Sequence, residues 1–587
     1  MRPETPREPI ARYQAVDFAA PARGNCDLIM KGGITSGVVY PYALLELGKS
    51  YRFKSIGGAS AGAIAAAFAA AAEYARTVRG DAAGFLRMQA RCDELPARLA
   101  SLFQPAPRFR PLMTYLLRAQ ARKGAWSWIW NLFAVFWLTT AAGLAAGAGV
   151  MALLGADLAG LVLGAAVGLA GALAARILLL LLTDLPRNGF GFCTGMTEPG
   201  AETPAVTDWI HASLQDIAFG DPNHARPLTF GDLSGPDPAA PVITLKMLTT
   251  NLSMRRPHRL PELGVVARFK VSEWSRLFPA PVIDHMRAVA AKDVQDGAED
   301  LPGSESFPLP SDLPVLVGVR MSLSFPVLFQ AVPLYTRDVE TASVIQQTGA
   351  PSRIEHRRIW FSDGGLSSNF PIHLFDALLP AWPTFALSLD ELPQGARKDG
   401  KRVFLPETAG QGFMLPVHEV AGLAGFAGSL LGAAKDWRDN MLGAMPGHRE
   451  RIARVYLSKD EGGLNLTMPE ARSRALMTYG LQAGQAFVNT FDFDEHRWRR
   501  TLTAFEQLED TVHATHRLWT QGGYDAWYAA YAPHALSYKK VTKADREKIG
   551  ARLKAFAGLV EAFTPPVPNK PKKFPRPAGR LRIVPDI

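Results

Sequence analysis

The chain has 587 residues, of which 48% are hydrophobic, 10% aromatic and only 20% charged. That composition excludes a mainly disordered protein and allows roughly two to four folded units. Its 64 Lys and Arg against 54 Asp and Glu give a formal net charge of +10, and its three cysteines, Cys26, Cys92 and Cys193, lie far apart with no C-x-x-C pair. A disulfide scaffold is therefore excluded, and a reducing compartment fits.

The amino-terminal residues mix charge and proline without an apolar run of signal-peptide length, which predicts a cytoplasmic start. Cys26 to Met30 reads as a strand ending in Lys31-Gly32-Gly33, followed by a helix over Gly37 to Leu47. Tyr51 to Ile56 reads as a second strand ending in Gly57-Gly58, followed by a helix over Ala61 to Ala75. This alternation predicts βαβ units and a parallel sheet.

Ala125 to Thr183 then carries only two ionisable side chains, Asp157 and Arg176. It divides at Gly155-Ala156-Asp157 into Trp126 to Leu154 and Leu158 to Leu182, each long enough to cross a bilayer once. Trp126, Trp128, Trp130 and Trp137 crowd the entrance, and Gly143, Gly147, Gly160, Gly164 and Gly168 recur at four-residue spacing, the pattern of close helix packing in lipid. Arg118, Arg122 and Lys123 before the run and Arg187 after it predict a hairpin with both ends in the cytoplasm. The competing reading is an Ala/Gly-rich helical pair inside a soluble domain.

Further strands are expected at Val242 to Thr250, Ile359 to Phe361 and Phe385 to Leu389. From about Ala396 the pattern becomes helical and polar, with helices over Glu470 to Phe491, His496 to Trp519 and Asp545 to Phe563. Pro565 to Ile587, basic through Lys570, Lys572, Lys573, Arg576, Arg580 and Arg582 with one acid, Asp586, is expected to be unfolded and solvated.

Gly58-Ala59-Ser60-Ala61-Gly62 is a single G-x-S-x-G between a predicted strand and helix, the setting of a nucleophile elbow. Small neighbours let the strand and helix pass close together, and the helix start points N–H groups toward Ser60 Oγ. Upstream, Lys31-Gly32-Gly33-Ile34-Thr35-Ser36-Gly37 offers backbone N–H groups for an oxyanion hole. A phosphate loop is the rival, but Gly48-Lys49-Ser50 lacks the leading glycine of a Walker motif. Phe361-Ser362-Asp363-Gly364-Gly365-Leu366 places a carboxylate at a strand end, where it can serve as general base. Alone, each motif also reads as an ordinary turn.

In this order the three motifs resemble the patatin-like phospholipases, across Asn25 to about Asp390 with the apolar run interrupting. Asn188-Gly189-Phe190-Gly191, Thr249-Thr250-Asn251-Leu252 and Met321-Ser322-Leu323-Ser324-Phe325-Pro326 look like the bacterial, membrane-anchored branch. The resemblance implies a three-layer α/β/α sandwich and a Ser-Asp dyad without histidine, with Ser60 as nucleophile, Asp363 as base and Gly32, Gly33 and Ile34 as oxyanion loop. The loop departs from the family in having Lys31 at its first position and Thr35-Ser36 where an arginine is usual.

The expected organisation is a tail over 1–22, a catalytic domain in two parts over 23–117 and 186–395, an inserted transmembrane hairpin over 118–185, a mainly helical region over 396–563 and a basic tail over 564–587. The expected activity is hydrolysis of acyl esters of membrane phospholipids at a bacterial inner membrane, facing the cytoplasm. No metal, organic cofactor or nucleic acid is implied. Two alternatives stand beside it: a Ser-His-Asp esterase using His373 or His418, and an inactive membrane scaffold with a hydrolase fold. Weaker candidates are a metal site at Asp510, His513 and His516, read by default as a solvated helix face, and a basic cluster at Arg255, Arg256, His258 and Arg259, read by default as an exposed loop. Phe413 to Ala434, with Gly422, Gly425, Gly428 and Gly432 among apolar residues, is either a lid or lipid-facing helix or, preferably, a helix packed on the core.

Overall fold

The computed structural model describes residues 9–33, 35–121, 125–290, 301–408, 410–412, 417, 419–463, 465–535, 537, 538, 540–579 and 581. Ile34, Arg122, Lys123, Phe413, His418, Arg580, Arg582 and Asp586 lie outside the described residues.

The architecture is mixed α/β. In chain order the strands are β1 (Asn25–Met30), β2 (Arg52–Gly58), β3 (Gly191–Cys193), β4 (Thr244–Asn251), β5 (Arg256–Leu260), β6 (Arg268–Lys270) and β7 (Ser304–Ser306). They continue with β8 (Val327–Phe329), β9 (Val332–Arg337), β10 (His356–Asp363), β11 (Thr384–Glu391), β12 (Val403–Phe404) and β13 (Ile452–Leu457). One sheet of 11 strands runs β12-β13-β11-β1-β2-β4-β10-β9-β6-β7, with β5 paired to β4, while β3 and β8 pair separately. The expected parallel pairing holds from β13 through β11, β1 and β2 to β4. Beyond β4 the sheet becomes antiparallel, because β4–β5 and β9–β10 are returning hairpins. Gly58 is level with Met247 and Asp363 with Thr249, two residues further along β4. The turn after β2 and the end of β10 therefore meet at one level of the sheet.

Three features differ from expectation. The sheet takes β12 and β13 from beyond residue 395, and the helix Glu470–Thr490 packs so closely on Tyr40–Ser50 that a β-carbon on Gly480 would strike the Val39 carbonyl. The 396–563 region thus completes the sheet domain. The tail is docked up to residue 579: Lys570 pairs with Glu509 and Asp510, Arg576 with Glu506, and Phe574 is buried. An acidic face on the helix Phe493–His516 attracts the basic tail that composition alone reads as solvated.

The third feature is the apolar run. The helix over Leu158–Arg187 is long and apolar enough to cross a membrane, whereas Trp128–Val135 and Trp137–Leu153 meet that test only jointly and are bent by 87°. Leu132, Phe133 and Phe136 pack against the core and hold the first segment down, so the chain turns sharply before Trp137. From there the helices Trp137–Leu153 and Leu158–Leu179 return on each other, Gly143 and Gly147 facing Gly164 and Gly168 so closely that no β-carbon fits. Their outer faces are bare: Leu153, Leu158, Val162 and Val167 are all exposed.

Candidate active site

Ser60 occupies the turn between β2 and the helix Ala61–Thr77, with φ 56° and ψ −130°. Left-handed φ at a side-chain-bearing residue costs about 1–3 kcal/mol and persists only where its surroundings enforce it. They do so here. A β-carbon on Gly58 would collide with the Gly62 carbonyl, and one on Gly62 with the Met30 carbonyl, so strand and helix cross in contact and throw Ser60 outward from both. The Ser60 N–H donates to Ser322 Oγ at 3.1 Å, fixing the turn to the Met321–Pro326 stretch.

Asp363, only 3% exposed, ends β10 with its carboxyl against the Ser60 side chain. Its Oδ1 accepts from the Gly365 N–H at 2.7 Å, while Oδ2 has no hydrogen-bond partner of good geometry among the described residues. Burial pushes the carboxyl up to about 6, against the lowering effects of Ser60, the Gly365 N–H and the Lys435 ammonium. The acid is thus poised near neutrality against the Ser60 side chain, with one carboxyl oxygen lacking a donor, an environment that suits a general base.

The stretches quoted beside the motifs converge here. Thr249 Oγ1 donates to the carbonyls of Met321 and Ser362, Thr250 Oγ1 to that of Asp363, and the Asp363 N–H and Ser362 Oγ both donate to the Ser324 carbonyl. Fully buried Arg320 locks this turn by donating to Ser324 Oγ at 2.6 Å and to the carbonyls of Thr194 and Gln330. Burial without a carboxylate partner lowers its guanidinium to about 10. Sequence reasoning passed over Ser322 and Arg320 as functional supports, although Ser322 lay inside a quoted motif.

The glycine loop is divided in its roles. The Gly32 N–H donates to the Asn369 carbonyl at 2.7 Å, so it is committed to the fold, and a β-carbon there would stand 3.2 Å from Ser60 Cβ and strike Asn369 Oδ1. The N–H groups of Gly33 and Ala61 donate to no described residue. Lys31, in the place of the family's first glycine, is turned away: Nζ pairs with Asp390 Oδ1 at 2.7 Å, and Arg454 takes Oδ2 at 2.8 Å. The extra Thr35 is tied down by its hydroxyl to the Gly463 carbonyl at 3.1 Å. Ile34 is outside the described residues.

A narrow apolar cleft of about 80 Å³ is lined from Ala61, the residue after Ser60. Ala61, Ile64 and Phe68 of the serine's helix form one wall, Gly37 and Val38 another, and Met88 and Trp209 lie among its further lining.

Other candidates separate from the site. Among the described residues no histidine hydrogen-bonds to Ser60 or Asp363, and both ring nitrogens of His373 are buried without a partner. His513 and His516 bond the backbone carbonyls of Phe563 and Ala557, Asp510 takes Lys570, and no metal-binding cluster exists among the described residues. Of the basic cluster, Arg255 lies in an exposed turn, as the default reading has it, whereas Arg256 to Arg259 belong to the paired strand β5, where His258 is buried, bonded to the Leu263 carbonyl and edge-on to Phe361. The stretch 422–434 does not pack on the core as preferred from sequence, because its described residues are almost all exposed.

The site thus belongs to a mixed α/β protein whose sheet seats a strained serine against a buried, unpaired aspartate. No protein-family model matches the chain. The RpoH suppressor of Rhizobium meliloti (strain 1021) is 36% identical over 642 aligned residues, taking in 95% of this chain and 98% of that protein. The chain belongs to the RpoH suppressor family. Among solved structures, VipD from Legionella pneumophila overlaps 92% of this chain and 85% of its own at 14% identity and a TM-score of 0.30, a likeness too loose to argue from.

Proposed function

We propose that this protein is a membrane-anchored, patatin-like serine hydrolase that cleaves acyl esters of glycerophospholipids. The carrying observation is the strained Ser60 set against the buried carboxyl of Asp363, which has an unpartnered oxygen and a pKa near 6. Ser60 Oγ attacks the ester carbonyl while its proton passes to Asp363 Oδ2. The oxyanion takes hydrogen bonds from the free N–H groups of Gly33 and Ala61, at the positive end of the helix Ala61–Thr77. Collapse expels the alcohol, protonated by Asp363, and leaves an acyl-Ser60 ester. Asp363 then deprotonates a water that attacks the acyl carbonyl and returns that proton to the departing Ser60 Oγ, releasing the fatty acid and restoring the free serine. The apolar lining of the narrow cleft that starts at Ala61 matches an acyl chain in chemistry.

The membrane half of the reading rests on the bare outer faces of the helices Trp137–Leu153 and Leu158–Leu179. A hairpin crossing the inner membrane returns the chain to the side it left, which agrees with strands from both flanks sharing one sheet, and the cytoplasm is the side of this proposal. Arg176, in the last turn of the second helix, is paired with Asp184 at 3.5 Å. A fluorophosphonate probe should label the wild type and not Ser60→Ala, and membranes from cells carrying Ser60→Ala should accumulate the substrate lipid. Equal labelling of both proteins would overturn the assignment. Separately, a thiol reagent that cannot cross membranes should reach Ala156→Cys from outside the inner membrane; labelling only after lysis would exclude the hairpin.

A further inference from the structure

The helix Gly422–Gly443 is amphipathic in the inverted sense. At 100° per residue, Leu423, Phe426, Leu430, Trp437 and Met441 fall in one narrow stripe, and they are 85%, 57%, 55%, 60% and 66% exposed. Roughly opposite lie Lys435 and Asp439, which face the active site. Asp439, 4% exposed, takes the Phe370 N–H at 2.7 Å and Ser368 Oγ at 3.2 Å on the loop after Asp363, and Lys435 lowers the Asp363 carboxyl.

Among the described residues of 422–434 all but Gly432 are exposed, and Gly425, Gly428 and Gly432 have no neighbour near their missing β-carbons. A helix with several interior glycines, each costing about 1 kcal/mol relative to alanine, does not hold alone in water. Something must cover it. The segment GLAGFAGSLLGAA carries no charge, and at 1.5 Å per residue its 13 residues reach about 20 Å, too short for a bilayer core of about 30 Å. It is followed by Lys435-Asp436-Trp437-Arg438, in which Lys435 turns to the active site while Trp437 is exposed and Arg438 borders the exposed stripe. An exposed, uncharged apolar stripe that continues through Trp437 and is bordered by Arg438 matches the boundary between lipid tails and headgroups better than it does a second protein surface.

We propose that residues 422–434 lie in the membrane leaflet as an interfacial helix and hold the loop bearing Asp363 at the lipid surface, an inference that rests on the hydrolase reading only for the nature of the substrate. The three native cysteines are buried, so Leu430→Cys can be labelled selectively with an environment-sensitive fluorophore in the full chain. Reconstituted in vesicles of phosphatidylcholine and phosphatidylglycerol, this label should be quenched roughly twofold or more by shallow nitroxide lipid, and one at exposed Lys548→Cys should not. Burying an apolar side chain is worth about 1.5–3 kcal/mol, so Leu423→Asp with Phe426→Asp should lower the ratio of vesicle to soluble-ester turnover about tenfold or more. A Leu430→Cys label no more quenched than that at Lys548→Cys overturns the proposal; a blue shift without quenching also overturns it and reveals a protein cover such as a second copy. Quenching in a protein that hydrolyses no ester would retain the helix and discard the hydrolase reading.

Discussion

Two aspartates near the ends of strands β11 and β10 of the same sheet stand in opposite electrostatic states. Asp390, on β11, is held between Lys31 and Arg454 and accepts the Ser388 hydroxyl, and these cations keep its carboxyl well below the ordinary range. Asp363, on β10, is buried with a serine, one N–H and a more distant lysine for company, and burial raises it. A buried carboxylate is normally compensated, and one left uncompensated marks a place where charge is meant to appear and disappear. On the proposed mechanism the difference separates a fold-holding acid from a reactive one on grounds that neither residue's sequence context supplies.

The sharpest way to break this comparison is to remove the reactive pair. Ser60→Ala and Asp363→Asn should each lower ester turnover by at least roughly 10,000-fold, measured on a chromogenic ester, with the far-UV spectrum unchanged. Single replacement of His356, His373 or His448 should leave most turnover, and a histidine change as damaging as Ser60→Ala would replace the dyad by a triad. Next in size is the oxyanion loop. A β-carbon on Gly33 would strike Ser36 Oγ and press on Leu389, displacing the free N–H. Gly33→Ala should therefore lower kcat roughly 100- to 1,000-fold with little change in KM. Unchanged kcat in a folded Gly33→Ala protein would take this loop out of the mechanism.

The structural partner should respond differently. In Asp390→Asn, the nearly buried Lys31 and Arg454 lose their shared counter-charge, and breaking such a pair from one side costs about 3–5 kcal/mol. Because the folded-state pKa is depressed, the stability Asp390 contributes is present at neutral pH and lost as pH falls through the carboxylate range. Denaturant melts should show Asp390→Asn much weaker than wild type at pH 7 and the gap closing in acid. An Asp390→Asn protein as stable as wild type at pH 7 would mean the triad is incidental.

The parts of this site readable in sequence were those that local geometry demands. Gly58 and Gly62 announce a strand-helix crossing with no space for side chains, and Asp363-Gly364-Gly365 a strand end. What sequence could not show was long-range. The Gly32 N–H, which the glycine-rich pattern offers to an oxyanion, is spent on Asn369, a contact across more than three hundred residues of chain. Lys31 reads as a departure from the family until Asp390 is seen beside it. The closing strand β13 was missed because its apolar residues Ile452, Ala453 and Val455 are a short run set among arginines and helices. The basic tail misled because composition says nothing of the acidic helix face that receives it.

The smallest effect is the most discriminating, because it separates charge from catalysis. Asp363 has a folded-state pKa of about 6 against about 3.9 in an unfolded chain. Between those values the native protein holds a proton that the unfolded chain has released, so this group's contribution to stability falls as pH rises. Above about pH 6 both states are ionised, and the native state carries the whole penalty of the buried charge, at 1.36 kcal/mol per unit up to about 3 kcal/mol. Asparagine keeps the shape and removes the ionisation. Asp363→Asn should thus melt above wild type at pH 8, with the gap shrinking to nothing below about pH 4, the reverse of the pattern for Asp390→Asn. In the wild type the same ionisation should appear as a loss of kcat/KM as pH falls through about 6, where the base becomes protonated. If Asp363→Asn melted below wild type at pH 8, the carboxylate would be holding the fold as Asp390 does, and the contrast between the two acids would collapse.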